Sequence, residues 1–156
     1  MLDIKEVYSF NFPTPIRFGA GVIKELGSYL KNNNLSSPLL VTDPNVAELK
    51  FFKEIQKDLE QQGLNSEIYK EMHKNPIKSD VLQGGERYHE TKRDCIIGIG
   101  GGVALDVARA IVLRVNHKRD LFDYDDLIGG DKYVTEDVPH FITVPTTSGT
   151  GSEVGR

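Results

Sequence analysis

A short apolar run that ends in consecutive glycines constrains the fold of this sequence most. Residues 95–99 are apolar or glycine, glycines occupy 100–102, and residues 103–113 are rich in Ala, Val, Leu and Ile. This order predicts a buried strand, a tight turn and a buried helix. Glycines at such a junction let backbone N–H groups approach an anion, and the helix N-terminus adds unpaired donors. The turn therefore predicts a phosphate site, although close packing of helix on strand would explain the same glycines.

The glycine turn departs from the ordinary dinucleotide fingerprint. Gly98 and Gly100 match the first two glycines of G-x-G-x-x-G, but Val103 stands where the third belongs. The turn also follows a late strand, whereas the Rossmann fingerprint follows the first. A different kind of nucleotide-binding turn is needed to explain it.

Composition limits the class of protein. The 156 residues are 27% charged and 38% hydrophobic, which is typical of one globular domain. The net charge of −4, with basic residues scattered along the chain, argues against nucleic-acid binding. The single cysteine, Cys95, lies in the apolar strand, so we expect no disulfide, no paired-cysteine metal site and a cytoplasmic location. No apolar run approaches the roughly 20 residues of a membrane span, and we expect no membrane association.

Before the glycine turn, helical and extended patterns alternate. Residues 8–12 and 16–18 predict a hairpin at a sheet edge, where prolines are tolerated, and such an edge could form a homodimer. Helical spacing covers 22–30, and an apolar strand covers 38–42. Asp43 and Pro44 predict the N-cap and first residue of the next helix. That helix should turn its apolar residues inward and end at Gly63; these residues are Val46, Leu49, Phe52, Ile55 and Leu59.

The remaining elements complete the alternation. Residues 67–69 predict a weak strand, Ser79 could cap a helix that runs to about Lys92, and residues 140–144 predict a last strand. The acidic connection over 116–138 should be solvated, because its oxygens lack the spacing of a calcium loop. We therefore predict an α/β fold, a doubly wound, mainly parallel Rossmann-like sheet with an N-terminal edge hairpin.

Parallel sheets bind ligands beyond the C-terminal ends of their strands. Three loops begin there: Asp43-Pro44, the glycines 100–102, and a loop over 145–153 that carries five hydroxyls and two glycines. The third loop alone is equally consistent with a surface turn. All three at one edge favour a binding site.

The same segments resemble a known family. The segments 12–21, 42–46, Asn75-Pro76, the turn 98–106 and the loop 144–153 follow the order found in the iron-containing alcohol dehydrogenases. The sequence is similar to the N-terminal nucleotide-binding domain of that family throughout residues 1–156.

This resemblance implies roles for individual residues. Gly101 and Gly102 would hold the pyrophosphate of NAD, Asp43 would face the adenosine ribose, and Thr146 and Thr147 would line the nicotinamide side. The other expected cofactor-binding residues are Asn75, Gly100, Val103, Asp106 and Ser148. The family usually has serine where Val103 stands, so one hydroxyl contact to phosphate is missing. A carboxylate at Asp43 repels the 2′-phosphate of NADP, which makes NADP the less favoured cofactor.

The family continues into a helical domain whose aspartate and three histidines bind iron or zinc. Those ligands are not expected within residues 1–156, and Fe²⁺ or Zn²⁺ would belong to a full-length relative. The four histidines lack the i, i+4 spacing of a helical metal site, so we expect them to be structural or exposed.

Three interpretations follow. The first is the cofactor half of an NAD(P)-dependent, metal-activated dehydrogenase acting on a small alcohol or aldehyde, inactive in isolation and with no catalytic residue of its own. The second is a non-catalytic nucleotide-binding module or a truncated fragment. The third is a relative of dehydroquinate synthase or glycerol dehydrogenase, which the loop over 145–153 disfavours.

Overall fold

A four-stranded, all-parallel sheet forms the centre of the computed structural model, which describes residues 14–154. The strands are β1 (Pro38–Val41), β2 (Glu67–Tyr69), β3 (Cys95–Gly100) and β4 (His140–Pro145), in the spatial order β2-β1-β3-β4. β1 and β3 are buried along their whole length, which explains why both are continuous apolar runs. The predicted α/β doubly wound sheet is confirmed.

Five α-helices within residues 14–154 cover both faces of the sheet. They are α1 (Leu26–Asn32), α2 (Pro44–Ala47), α3 (Lys50–Gln61), α4 (Lys78–Glu90) and α5 (Gly102–Asn116). The first three pack on the face that carries Leu40, Ile97 and Ile99. The last two pack on the face that carries Leu39, Val41 and Ile96. The side chains of each strand thus alternate between two cores. None of the helices between residues 14 and 154 is long and apolar enough to cross a bilayer.

The N-terminal hairpin is not supported where the structure describes it. Residues 15–18 have no regular secondary structure, and Ile16 and Phe18 are 67% and 99% exposed. Because neither side chain is buried against a neighbouring strand, the alternation of apolar and polar residues is not enough to form a strand here. The other proposed strand, over 8–12, lies outside the described residues, as does the dimer edge expected there.

The second predicted helix is divided into α2 and α3. Leu49 has an extended backbone (φ −73°, ψ 147°) as the N-cap of α3, and its side chain is 48% exposed. The expected inward position of Leu49 is therefore wrong, because the break shifts the helical period. Phe52, Ile55 and Leu59 are buried as predicted, and Gly63 follows the end of α3 with φ +78°.

Two other boundaries differ from the sequence pattern. Residues 22–30 begin as a 3₁₀ turn, Val22–Glu25, before α1. α4 begins at Lys78, and Asp80, rather than Ser79, supplies its cap: Asp80 Oδ2 accepts the Ile77 N–H at 3.1 Å. The connection over 116–138 contains 3₁₀ turns, two of them capped by the carboxylates of Asp120 and Asp125.

Candidate functional site

The C-terminal edge of the sheet brings three loops together. The chain moves from β1 to β2 on one side and then to β3 on the other, which leaves a switch point between β1 and β3. Asp43 follows β1 and the glycine turn follows β3. The loop over 146–152 follows β4, and its first N–H, on Thr146, donates to the Gly100 carbonyl at 2.9 Å. The predicted meeting of these loops is therefore observed.

The glycine turn needs glycine for two different reasons. Gly100 has φ +152°, and a Cβ there would lie 2.7 Å from the Ala104 Cβ. Gly101, the N-cap of α5, has an ordinary backbone (φ −79°, ψ −175°), but its Cβ would lie 3.2 Å from Thr147 Oγ1. A Cβ on Gly102 would lie 3.2 Å from Ser152 Oγ. Two hydroxyls of the loop thus lie directly against Gly101 and Gly102 at the N-terminus of a 15-residue helix.

Asp43 uses its two carboxylate oxygens differently. Oδ1 accepts the N–H groups of Asn45 at 2.9 Å and Val46 at 3.1 Å, which confirms the predicted N-cap of α2. Oδ2 lies 3.6 Å from the Cβ position of Gly100 and so faces the glycine turn. The preceding residue, Thr42, is buried, and its hydroxyl oxygen has no hydrogen-bond partner in the part of the chain described.

Arg109 connects α5 to the far end of the loop. Its Nη2 donates to the Ser152 carbonyl at 2.7 Å, and its guanidinium lies 5.3 Å from the centre of the Phe141 ring. Burial lowers the pKa of Arg109, and the nearby charge of Asp106 opposes that shift. Its Nε is buried and has no acceptor within residues 14–154.

Four other predicted site residues make none of the contacts described between the three loops. Asn75 is exposed in the loop between β2 and α4, Asp106 is exposed on α5, and Ser148 is exposed at the tip of its loop. Val103 is 39% exposed in the first turn of α5. The cofactor contacts of these four stay predictions, as do those of the predicted residues that the three loops bring together.

The turn that carries Asn75 is nevertheless well fixed. Asp80 is 1% exposed, and its carboxylate accepts the N–H groups of His73 at 3.0 Å and Ile77 at 3.1 Å, on either side of Asn75. His73 Nδ1 lies 2.8 Å from the other oxygen. Burial opposes ionisation of this carboxyl, but the hydrogen bonds from His73 and Ile77 prevail and lower the pKa of Asp80.

The four histidines lie apart from one another. His73 pairs with Asp80, His89 bonds to the Val115 carbonyl, and His140 lies 3.1 Å from the Tyr29 hydroxyl. His117 is buried, with Nδ1 2.9 Å from the Leu113 carbonyl and Nε2 accepting the Thr135 N–H at 2.9 Å. Between residues 14 and 154, no three His, Cys, Asp or Glu side chains come together as a metal site would need.

Sequence reasoning missed Thr42, which lies beside Gly100, and Arg109, which bonds to the end of the loop after β4. Each had a weak signal: Thr42 is a polar residue at the end of an apolar strand, and Arg109 is one of few charged residues on an apolar helix. The place of Thr42 depends on the pairing of β1 with β3, and the contacts of Arg109 depend on how β4 and the following loop pack against α5. The local pattern specifies neither.

Comparison with known proteins identifies the family. The family model for iron-containing alcohol dehydrogenase matches residues 13–156. The chain belongs to that family. It is 34% identical to alcohol dehydrogenase 4 of Saccharomyces cerevisiae over 153 residues, covering 98% of this chain and 39% of the yeast protein. It is 31% identical to choline dehydrogenase of Bacillus subtilis over 152 residues, covering 97% and 38% respectively.

Solved members of the iron-containing alcohol dehydrogenase family share the fold. Sulfoacetaldehyde reductase from Bifidobacterium kashiwanohense, solved with NAD⁺, matches with a TM-score of 0.83 and 25% identity over 96% of this chain and 38% of its own. The NADH-dependent butanol dehydrogenase A of Thermotoga maritima matches with a TM-score of 0.79 and 27% identity, covering 94% and 36%. The chain thus spans less than two fifths of the length of these relatives.

Proposed function

We propose that this chain is the NAD-binding part of a metal-activated dehydrogenase that acts on a small alcohol or aldehyde. The observation that carries the proposal is the placement of the Thr147 and Ser152 hydroxyls opposite Gly101 and Gly102, at the N-terminus of α5. Backbone N–H groups and hydroxyls that converge on one space are the donors a pyrophosphate needs. The complex of the sulfoacetaldehyde reductase with NAD⁺ supports the same choice of ligand.

The residues of the cluster divide the dinucleotide between them. Gly101 and Gly102 hold the pyrophosphate, with Gly100 allowing the close turn. Asp43 Oδ2 accepts from the ribose hydroxyls of the adenosine and disfavours the 2′-phosphate of NADP. Thr146 and Thr147 line the nicotinamide side of the cleft. Val103 lies beside the pyrophosphate without a hydroxyl to donate to it, and Asn75, Asp106 and Ser148 complete the cofactor site.

When bound, the nicotinamide accepts or returns the hydride of the alcohol. This chain's contribution is to orient that ring and to exclude water from one of its faces. Since the described residues bring no set of metal ligands together, we assign the activation of the alcohol to a metal-binding domain of the longer relatives. The 156-residue chain alone should therefore not turn over, and a cytoplasmic location fits its single buried thiol, Cys95.

Titration of the 156-residue chain with NADH and NADPH tests the binding step. The reduced nicotinamide is excited at wavelengths that protein side chains do not absorb, so its emission can be followed without background from the protein. NADH should bind more tightly than NADPH. A failure to bind either would refute the proposal.

A second assay tests the division of labour between domains. Oxidation of a primary alcohol by this chain, with NAD and added ferrous iron or zinc, should give no steady turnover. Steady turnover by the chain alone would show that the metal-dependent step does not need a further domain. NADH binding without turnover by a full-length protein carrying this segment would favour a non-catalytic nucleotide-binding module.

A further inference from the structure

We propose that Arg109 is a positioning residue for the dinucleotide site and that it acts by holding the Thr150–Ser152 end of the loop against Gly102. The inference rests on the proposed function, because it concerns the same glycine turn. Arg109 bonds to neither the glycines of the turn nor the loop hydroxyls, and it acts through the backbone carbonyl of Ser152.

Arg109 is too far along α5 to contact a phosphate at the glycine turn. It lies seven positions after Gly102, which corresponds to roughly 10 Å along a helix that rises 1.5 Å per residue. Its Nη2 instead bonds to the carbonyl of Ser152, whose hydroxyl lies 3.2 Å from the Cβ position of Gly102. Ser152 therefore lies between the guanidinium and Gly102, where we place the phosphate.

Two contacts fix the guanidinium itself. It lies over the ring of Phe141, a residue of β4, at 5.3 Å from the ring centre, so the same side chain contacts the strand before the loop and the carbonyl at its end. A planar guanidinium can lie over a ring and donate to a carbonyl through its fixed fork at the same time, whereas an ammonium is a single point charge without that fork. The loop is thus tied at both ends: Thr146 by its N–H to Gly100, and Ser152 by Arg109.

The cost of this arrangement argues that it is not there for stability alone. Burial lowers the pKa of Arg109, and its Nε has no acceptor in the described part of the chain. A buried donor without a partner is unfavourable, and an apolar side chain would pack against Phe141 without that penalty. A role in fixing the loop explains why arginine is tolerated here.

The test compares Arg109→Met and Arg109→Lys with a matched control, Arg114→Met. Arg114 lies on the same helix and also donates to a backbone carbonyl, that of His117 at 2.8 Å, but away from the loop. Amide hydrogen exchange of the free 156-residue protein measures how firmly Arg109 holds the loop at Ser152. Ser152 and Val154 should exchange faster in Arg109→Met, whereas Thr146, bonded to Gly100, serves as the internal reference.

NADH titration reports the consequence for the site. Loss of a charged donor predicts about tenfold weaker NADH binding for Arg109→Met, with no change for Arg114→Met. Arg109→Lys keeps the charge but not the planar fork, so both its exchange and its NADH affinity should fall between those of the parent and of Arg109→Met. It carries the test if Arg109→Met does not fold.

The outcomes separate this inference from the proposed function. A parent chain that does not bind NADH refutes the proposed function and the inference with it. A parent that binds NADH, with Arg109 variants that exchange and bind as the parent does, refutes the role of Arg109 alone. Full NADH affinity in Arg109→Lys despite fast loop exchange would mean that charge, not loop position, is what matters, and would also overturn the inference.

Discussion

Substitution of two glycines, Gly98 and Gly101, distinguishes a packing role from a ligand role. Gly98 lies within β3, where an added Cβ would come 2.9 Å from the Ala108 Cβ and 3.3 Å from Leu105 Cδ2. Gly101 has a backbone that alanine adopts freely, and its Cβ would meet only the end of the Thr147 side chain, at 3.2 Å. The two alanine substitutions should therefore have opposite effects.

Gly98→Ala should destabilise the fold and spare the site. Overpacking of one methyl between a strand and a helix costs about 1–3 kcal/mol. For a chain of this size each kcal/mol lowers the melting temperature by about 2–4 °C. Below the melting temperature of the variant, NADH affinity should stay within about threefold of the parent. A lower free energy of unfolding does not change the binding site of the molecules that remain folded.

Gly101→Ala should do the reverse. The reduced entropy of the unfolded chain offsets part of the steric cost, so the free energy of unfolding should change by less than about 1 kcal/mol. The new methyl fills the space between Gly101 and the Thr147 hydroxyl, and loss of one hydrogen bond to a charged phosphate weakens NADH binding by about 10- to 150-fold.

Calorimetry and NADH titration on both variants check these expectations together. Parent-like NADH affinity in Gly101→Ala would remove the assignment of the pyrophosphate to this turn. Loss of affinity in Gly98→Ala without loss of stability would mean that the wrong glycine had been assigned to the ligand.

Three further predictions use the same assays. Asp43→Asn should keep the cap of α2 and gain NADPH affinity with little change in melting temperature, whereas Asp43→Ala should also lose about 1 kcal/mol of stability. Asp125→Asn, which changes another capping carboxylate, is the control. An unchanged NADPH affinity in Asp43→Asn would mean that Asp43 only caps the helix. Val103→Ser should strengthen NADH binding by up to about 1.5–3 kcal/mol, and calorimetric titration showing no gain would contradict a phosphate near that residue. Asp80→Asn should cost about 1–3 kcal/mol at pH 7. Because the folded pKa of Asp80 lies below its unfolded value of about 3.9, its contribution is fully present above that pH and is lost as the pH falls through the folded pKa. The difference in unfolding free energy between parent and variant should therefore narrow as the pH falls below about 3.9, and a constant difference would refute the assignment.

The fold was predictable where burial and local pattern agree. β1 and β3 are continuous apolar runs, and Asp43-Pro44 carries its own start signal, so strand, cap and helix follow from adjacent residues. Leu49 was mispredicted because the hydrophobic period continues across a break that one extended residue creates. Residues 16–18 alternate like a strand but have no buried face in the structure.

The site was predictable in its components and less so in their contacts. Glycines and hydroxyls in two loops indicate donors for an anion, and parallel strands place both loops at one edge. That Thr147 meets Gly101, that Ser152 meets Gly102 and that Arg109 bonds to Ser152 depend on the path of the chain after β4. Local sequence holds no signal for that path.

The strand order also sets how this chain must fold. Leu39 pairs with Glu67, 28 positions later, and the pairs Pro38–Cys95 and Cys95–His140 are separated by 57 and 45 positions. No pair of neighbouring strands in the described sheet can form as a local hairpin, so each requires closure of a long loop before any ladder bond is gained. α3, α4 and α5 can form early, but β1 cannot complete its pairing until β3 has been made. The glycine turn cannot contact the loop that carries Thr147 and Ser152 until β4 has paired with β3. During synthesis on the ribosome, the candidate site would therefore be the last feature of the sheet to assemble.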